Sequence, residues 1–428
     1  MNTGIIAVSI ETKRKPAASY EIENRKAKSE NPVNRPSLLH IIERLEGFLT
    51  KLPESIQRPV LHELTPLKEL FLQQRPPRFV ITGSNRQPLQ DVVATLFGTG
   101  QPPAESREIL MELFRWHAME LGGRGAVLFL DARGAEERTI SKIREELGEQ
   151  PADILLHLAN DGEGSRETHR ELENLTTFIR TATIIKPKVI GVVLHEVNPA
   201  RRDLRQGESL LSASSKTKAQ LQSALQEQPG IAEHLLQVVE IAPGESGASA
   251  TNDTQSFLAL LARGMPNQAR VEMARLAGDR AIQGEIAQTL VKSTTAICAA
   301  IGAQPIPLAD LPILTALQLV MVSGIMYISG RERSLRAATE FVGALGVNVG
   351  AGMILREGTR ALLKFFPGWG NVVCGAVAGA GTYAIGRASI GYFLEGITLR
   401  DARRTYLASR KKPAQKRPAQ IREVEALP

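Results

Sequence analysis

A chain of 428 residues can bury two or three domain cores, and 43% hydrophobic with 23% charged residues is the balance of a globular protein. Two cysteines, Cys298 and Cys374, each among small apolar residues, argue against a disulfide framework or a zinc site and fit a reducing compartment. The net charge of +7 is uneven. Arg400, Arg403, Arg404, Arg410, Lys411, Lys412, Lys416 and Arg417 crowd the end, which suits acidic lipid headgroups better than nucleic acid because no aromatic platform is interleaved.

In chain order, residues 1–36 are polar, carry Pro16, Pro32 and Pro36, and read as a disordered leader with no signal-peptide pattern. Residues 37–74 read as a helical arm. Ser37 can cap a helix in which Leu38, Ile42, Leu45, Leu49 and Leu52 recur at spacings of four and three; Pro53 interrupts it and a second run reaches about Gln74. Residues 75–243 have an α/β pattern. "RFVITG" (78–83), "ADILLHLAND" (152–161), "PKVIGVVLHEVN" (187–198) and "LQVVEIAP" (236–243) are apolar strands, with a helix over 90–98. Residues 112–121 and 125–134 flank the turn "GGRG" and suggest a hairpin. Strands alternating with helices predict a mostly parallel sheet covered on both faces.

Residues 244–254, small and polar, read as a linker, and strand signals then vanish. Residues 255–399 predict an all-α domain rich in Ala, Gly and Leu; residues 400–428 read as a basic disordered tail. Runs 311–330 and 365–386 carry no charge and are long enough for a bilayer, and Gly346/Gly350 and Gly375/Gly379 have the small-xxx-small spacing of close helix contacts. Gln318, Thr315, Asn371 and Pro367 favour a buried bundle instead.

The stretch "RFVITGSNRQPLQDVVATLFG" (78–98) has the strand–turn–helix frame of a phosphate-binding loop, G-x-x-x-x-G-K-[ST]. Gly83 opens it correctly. Pro88 then removes a backbone donor, Leu89 stands in place of the cation, and Gln90 replaces the hydroxyl that would hold Mg²⁺. No H-E-x-x-H, nucleophile elbow or metal-ligand spacing competes; His157 and His195, near strand ends, read as ordinary satisfied histidines.

In order and spacing, "RPPRFVITGS", "VVATLFG", "LFLDARG", "PADILLHLAND", "KPKVIGVVLHEVN" and "VVEIAP" resemble the Era-like branch of the translation-factor P-loop GTPases. "PIPLADLPILTALQLVMVSGIMYISG" and "PGWGNVVCGAVAGAGTYAIGRASIGYF" are similar to the signature blocks of domain of unknown function 697, through Pro305, Pro307, Asp310, Gln318, Gly375, Gly379 and Gly381. The resemblance covers roughly residues 75–400 and implies a P-loop GTPase-like α/β domain followed by a helical domain. It makes Asp131 and Gly134 the D-x-x-G element, which in the family meets the magnesium water shell and the γ-phosphate. It puts His195, Glu196, Val197 and Asn198 where N-K-x-D reads guanine. Asn198 cannot accept both guanine N–H bonds as a carboxylate does, and Ser106 is a poor substitute for the first-switch threonine.

The expectation is a membrane-associated pseudo-GTPase with a regulatory or scaffolding role, with no cofactor and a vestigial site at Gly83, Pro88, Leu89, Gln90, Asp131, Gly134, His195, Glu196 and Asn198. Gly346, Gly350, Gly375, Gly379 and Gly381 are assigned to helix packing. Its place is the cytoplasmic side of a membrane, with a protein partner, a possible homo-oligomer and no nucleic acid. One alternative is an active GTPase that binds GTP and Mg²⁺ through an atypical loop. The other is a helical membrane-remodelling or pore-like protein.

Overall fold

The computed structural model describes residue 47 and residues 54–71, 73–98, 114–121, 125–160, 165–182, 186–194, 208–241, 248–303, 310–346 and 369–411. The leader 1–36, the helix expected from Ser37 apart from Gly47, Ser106, His195, Glu196, Asn198, Pro305, Pro307, Gly350, Pro367 and residues 412–428 lie outside the described residues.

Six strands form one sheet: β1 (Arg78–Gly83), β2 (Trp116–Glu120), β3 (Ala126–Asp131), β4 (Ile154–Asn160), β5 (Lys188–Leu194) and β6 (Leu235–Ile241). Their order is β2-β3-β1-β4-β5-β6. β2 and β3 are the expected antiparallel hairpin, with His117 opposite Phe129, and every other pairing is parallel. This is the expected α/β arrangement, a mostly parallel six-stranded sheet.

The strands read as continuous apolar runs because both faces are covered. Their period of two sends Phe79, Ile81, Phe129, Leu156, Ile190 and Val192 to one face and Val80, Leu130, Leu155, Val189 and Val193 to the other. The second face packs on Ile143 and Leu147 of helix Glu137–Glu149, Leu175 and Phe178 of Ser165–Thr181, and Leu221 and Leu225 of Glu208–Glu227. In chain order α1 is Glu54–Phe71, α2 is Leu89–Phe97, and these three are α3, α4 and α5. On the first face Phe97 of α2 meets Phe79 and Phe129 with ring centroids 5.5 and 5.3 Å apart.

The helical region is α6 (Ala248–Gly264), α7 (Asn267–Ala277), α8 (Arg280–Gly302), α9 (Asp310–Ile328), α10 (Leu335–Ala344), α11 (Trp369–Phe393) and α12 (Leu399–Lys411). Its buried residues and those of α1, α2 and the first sheet face form one continuous core, so the sheet and the helices share their hydrophobic interior. The arm helix α1 packs on α7 and α8. Two expectations are corrected here. Residues 248–254, read as linker, open α6, and residues 400–411, read as disordered tail, form α12. Thr398 caps α12 reciprocally: its hydroxyl donates to Asp401 Oδ2 at 2.7 Å and accepts from the Asp401 N–H at 3.2 Å.

The uncharged runs become α9 and α11, which pack with α8 between them and on each other. A Cβ at Gly375 would stand 2.7 Å from the Ala299 carbonyl oxygen, one at Gly379 3.1 Å from the Ala299 Cβ, and one at Gly386 2.5 Å from Val291. These glycines set the close approach of α8 and α11. Gly381 faces open space, contrary to the packing expected of it, and Gly346 lies against Arg403 of α12. Gln318 of α9 donates to Thr382 of α11 at 2.9 Å, which accounts for a polar residue inside an apolar run. Both cysteines are free thiols. Among the described residues, no helix is long and apolar enough to cross a membrane.

Where the sheet meets the helical region stands an ion pair. Arg75 donates to both oxygens of Asp153 at 2.6 and 2.7 Å, and the Arg75 N–H donates to the Gln268 carbonyl of α7 at 3.1 Å. Asp153 also accepts from the Arg78 N–H at 2.9 Å. The pair therefore ties the starts of β1 and β4 to a helix nearly 200 residues on.

Candidate functional site: the loop after the first strand

The carboxyl ends of the strands in an open α/β sheet are where ligands bind. β1 ends at Gly83, with φ +86, where a Cβ would stand 2.2 Å from the Leu158 carbonyl oxygen. Only glycine lets β1 close on β4 here. The same Leu158 carbonyl accepts the N–H of Ser84 at 3.0 Å, which draws the first loop amide toward β4. Pro88 precedes α2 with φ −54, a value that proline adopts without strain. The Pro88 carbonyl accepts the N–H groups of Asp91 and Val92, both at 3.1 Å.

Leu89 does not stand in the loop's hollow. It is 9% exposed and joins Val92, Val93, Leu96 and Phe97 in the core beneath α2. The position that a cation would occupy in a phosphate cradle is thus the first anchor of the helix. Gln90 is half-buried.

Across the loop, β3 ends at Asp131, whose carboxylate is held on both oxygens by Arg133. Arg133 Nε donates to Oδ1 at 2.8 Å, Nη2 donates to Oδ2 at 2.9 Å, and the Arg133 N–H donates to Oδ1 at 3.1 Å. The remaining Arg133 nitrogen, Nη1, donates to the Gln87 carbonyl of the loop at 2.8 Å. The side chains of Asp131 and Arg133 are only 10% and 6% exposed. Gly134, with φ +63, lies so near the loop that a Cβ would be 2.7 Å from Asn85 Nδ2. A guanidinium therefore bridges the loop to the D-x-x-G element, where a metal and a phosphate would otherwise be expected to join them.

These side chains do not fit a magnesium nucleotide. Both Asp131 oxygens are committed to a cation that the chain supplies, Gln87 turns a carbonyl toward that cation, Pro88 has no amide donor and Leu89 carries no charge. Sequence reasoning brought Gly83, Pro88, Leu89, Gln90, Asp131 and Gly134 to one place, and the structure juxtaposes the loop with D-x-x-G. It missed Arg133, which occupies a variable position of that motif. The available signal was a basic residue two positions after an aspartate at a strand end, where bidentate contact is sterically easy.

His157 is the central residue of β4, not near its end, and is 1% exposed. Its Nδ1 lies 3.0 Å from the Thr82 hydroxyl, one residue before Gly83. Burial lowers its pKa to about 4, so it stays neutral. A cavity of about 600 Å³ is lined by Gln255, Ser256, Arg263 and Arg280 among others; none of the loop residues lines it.

No family model matches the chain. It is 30% identical over 118 residues to Magnetosome membrane protein 22 of Magnetospirillum gryphiswaldense, which covers 26% of this chain and 59% of that protein. The chain thus spans less than two thirds of the length of that curated relative. Among solved structures, it was matched to a bacterial dynamin pair described as providing a mechanism for the long range sensing and tethering of membranes. That match has 12% identity and covers 87% of this chain and 71% of the other, but its TM-score of 0.25 is too low to carry structural argument.

Proposed function

We propose that this protein is a membrane-associated, GTPase-like regulatory or scaffolding protein whose nucleotide site is closed by its own arginine. The observation that carries the reading is the Arg133 guanidinium, bound to both oxygens of Asp131 and to the Gln87 carbonyl. It puts a permanent positive charge beside the carboxylate that a metal site would use, so neither magnesium nor GTP is a resident cofactor. Within this reading the α/β part belongs with the Era-like GTPases and the helices with domain of unknown function 697. The order of "RFVITG", "VVATLFG", "LFLDARG" and the Gly-rich blocks supports that placement. Membrane association is supported by the name of the relative above and by the basic helix α12. The attachment is peripheral, on the cytoplasmic face, and the α/β part presents a protein-interaction surface.

Titration with fluorescent GTP and GDP, with and without Mg²⁺, tests the closed site. The expected result is no magnesium-dependent binding and no hydrolysis above background. Magnesium-dependent binding that disappears in Asp131→Ala would replace this reading with that of an active GTPase using an atypical loop.

A further inference from the structure

We infer that the outward face of α12 docks on a bilayer containing anionic lipid. The inference rests on the membrane-associated reading above and names the surface that would serve it. α12 buries Ala402 and Tyr406, one turn apart, and packs against α11. Away from that buried pair, Arg400, Arg403, Arg404 and Leu407 stand at spacings of three, four and seven, which places them on one face of the helix. Leu407 is 46% exposed in the middle of this set, and Leu399 at the helix start is 39% exposed.

The charge around the leucines is concentrated. Residues 399–428 hold nine basic and three acidic residues, a net of +6 against +7 for the whole chain. The rest of the sequence is close to neutral in net charge, so this end carries most of the net charge available to attract an anionic surface.

An arginine face with leucines at its centre and its start fits one kind of surface. Headgroup phosphates attract the guanidinium groups, and the leucines enter the apolar boundary just below them. Nucleic acid would use the same charges but would leave the leucines in water, and the aromatic of α12, Tyr406, is buried rather than offered for stacking. A second copy of this face would set arginine against arginine. The geometry of the fold supports the role: the reciprocal Thr398–Asp401 cap fixes the helix start, and Asp401 also pairs with Arg404 at 3.2 Å.

The test is co-sedimentation of the full chain with vesicles of phosphatidylcholine alone or of phosphatidylcholine with phosphatidylglycerol. The parent should pellet with the anionic vesicles only, and less as salt rises, since the screening length falls to about 3 Å at 1 M. Replacing Arg400, Arg403 and Arg404 together by Gln should lower the partition coefficient on the order of a hundredfold, each charge contributing about fivefold. Leu407→Ser should lower it by roughly tenfold without changing the salt dependence. Replacing Arg138, Lys142 and Arg144, exposed on α3, together by Gln removes the same three charges, is the control for net charge and should have little effect. The replaced side chains are exposed, although Arg403 also lies against Gly346, so thermal melts should change little, and a vesicle loss counts for the assignment only where the melt matches the parent.

If the parent binds anionic vesicles and the triple variant binds equally well, the α12 assignment is wrong while the membrane reading stands. If the parent binds neither vesicle, the membrane reading itself fails. Equal losses in the Arg138, Lys142 and Arg144 variant and the α12 triple variant would reduce the effect to bulk charge and overturn the assignment. Duplex DNA bound in place of vesicles, and lost in the triple variant, would give this face to nucleic acid.

Discussion

The two ends of the sheet carry the same chemical device. At the amino ends of β1 and β4, Arg75 grips both oxygens of Asp153; at the carboxyl ends of β1 and β3, Arg133 grips both oxygens of Asp131. The lower pair is long-range, links residues 78 positions apart and reaches the helical region through Gln268. The upper pair is local, two positions apart, and its spare nitrogen holds the loop carbonyl of Gln87. The lower pair secures a junction that any such fold would need to secure. The upper pair occupies the ends of the strands where sheets of this kind bind ligands. Equal geometry at the two ends thus has unequal meaning, and what distinguishes them is which backbone groups the arginine also touches.

The largest expected effect comes from breaking the upper pair. Arg133→Ala leaves the Asp131 side chain, 10% exposed, without its cation and with only the N–H of residue 133, and removing one partner of a buried pair costs roughly 3–5 kcal/mol. A chemical denaturation curve should show that loss. Asp131→Leu combined with Arg133→Met should recover most of it, since an apolar pair carries no desolvation penalty. If Arg133→Ala proves neutral, the pair is not a lock, and the contrast between the ends collapses.

The middle of the sheet sharpens the comparison. His157 sits on β4 beside Thr82, one residue below the loop, and its pKa is lowered to about 4 by burial. In the unfolded chain it titrates near 6.5. Between these values the unfolded state binds the extra proton, so stability rises with pH. The contribution is fully present above about 6.5 and is lost as pH falls toward about 4, on the order of 3 kcal/mol. The parent should therefore lose more stability over that window than His157→Gln does. Equal slopes for the two proteins would show that His157 is hydrated in the folded state.

Much of this was legible because it is local. The apolar runs, the "GGRG" hairpin and the glycine needed at position 83 follow from period, turn chemistry and the shape of a strand end. Arg133 was hidden because a D-x-x-G pattern names only its ends and treats the residues between as free. Asp153 was hidden because nothing in "PADILL" points to an arginine 78 positions earlier. α12 shows a different failure. Its arginines outweighed the capping signal in "TLRD", although a threonine with an acidic residue three positions on marks a helix start whatever the charge that follows. The linker reading failed in the same way: small polar residues begin α6, whose later turns carry the buried Phe257, Leu258 and Leu261.

The smallest effect is expected at the lower pair. Arg75 is 20% exposed, so water can partly replace it, and Asp153 keeps the N–H of Arg78. Arg75→Ala should cost about 2 kcal/mol, less than Arg133→Ala, because water can enter where the partly exposed guanidinium stood and the Arg78 charge still acts on Asp153, although Asp153 is the more buried carboxylate. The consequence should also fall elsewhere. The backbone bond from Arg75 to Gln268 can survive the substitution, but the side-chain bond from Arg75 Nε to Gln268 Oε1 at 3.4 Å cannot. Hydrogen exchange should therefore quicken at the starts of β1 and β4 and in α7, while the loop from Ser84 to Pro88 stays as protected as in the parent. Arg133→Ala should give the reverse pattern, with faster exchange in the loop and at the start of α2. If both variants loosen the same amides, the sheet responds as a single rigid unit, and the two arginines differ in position but not in role.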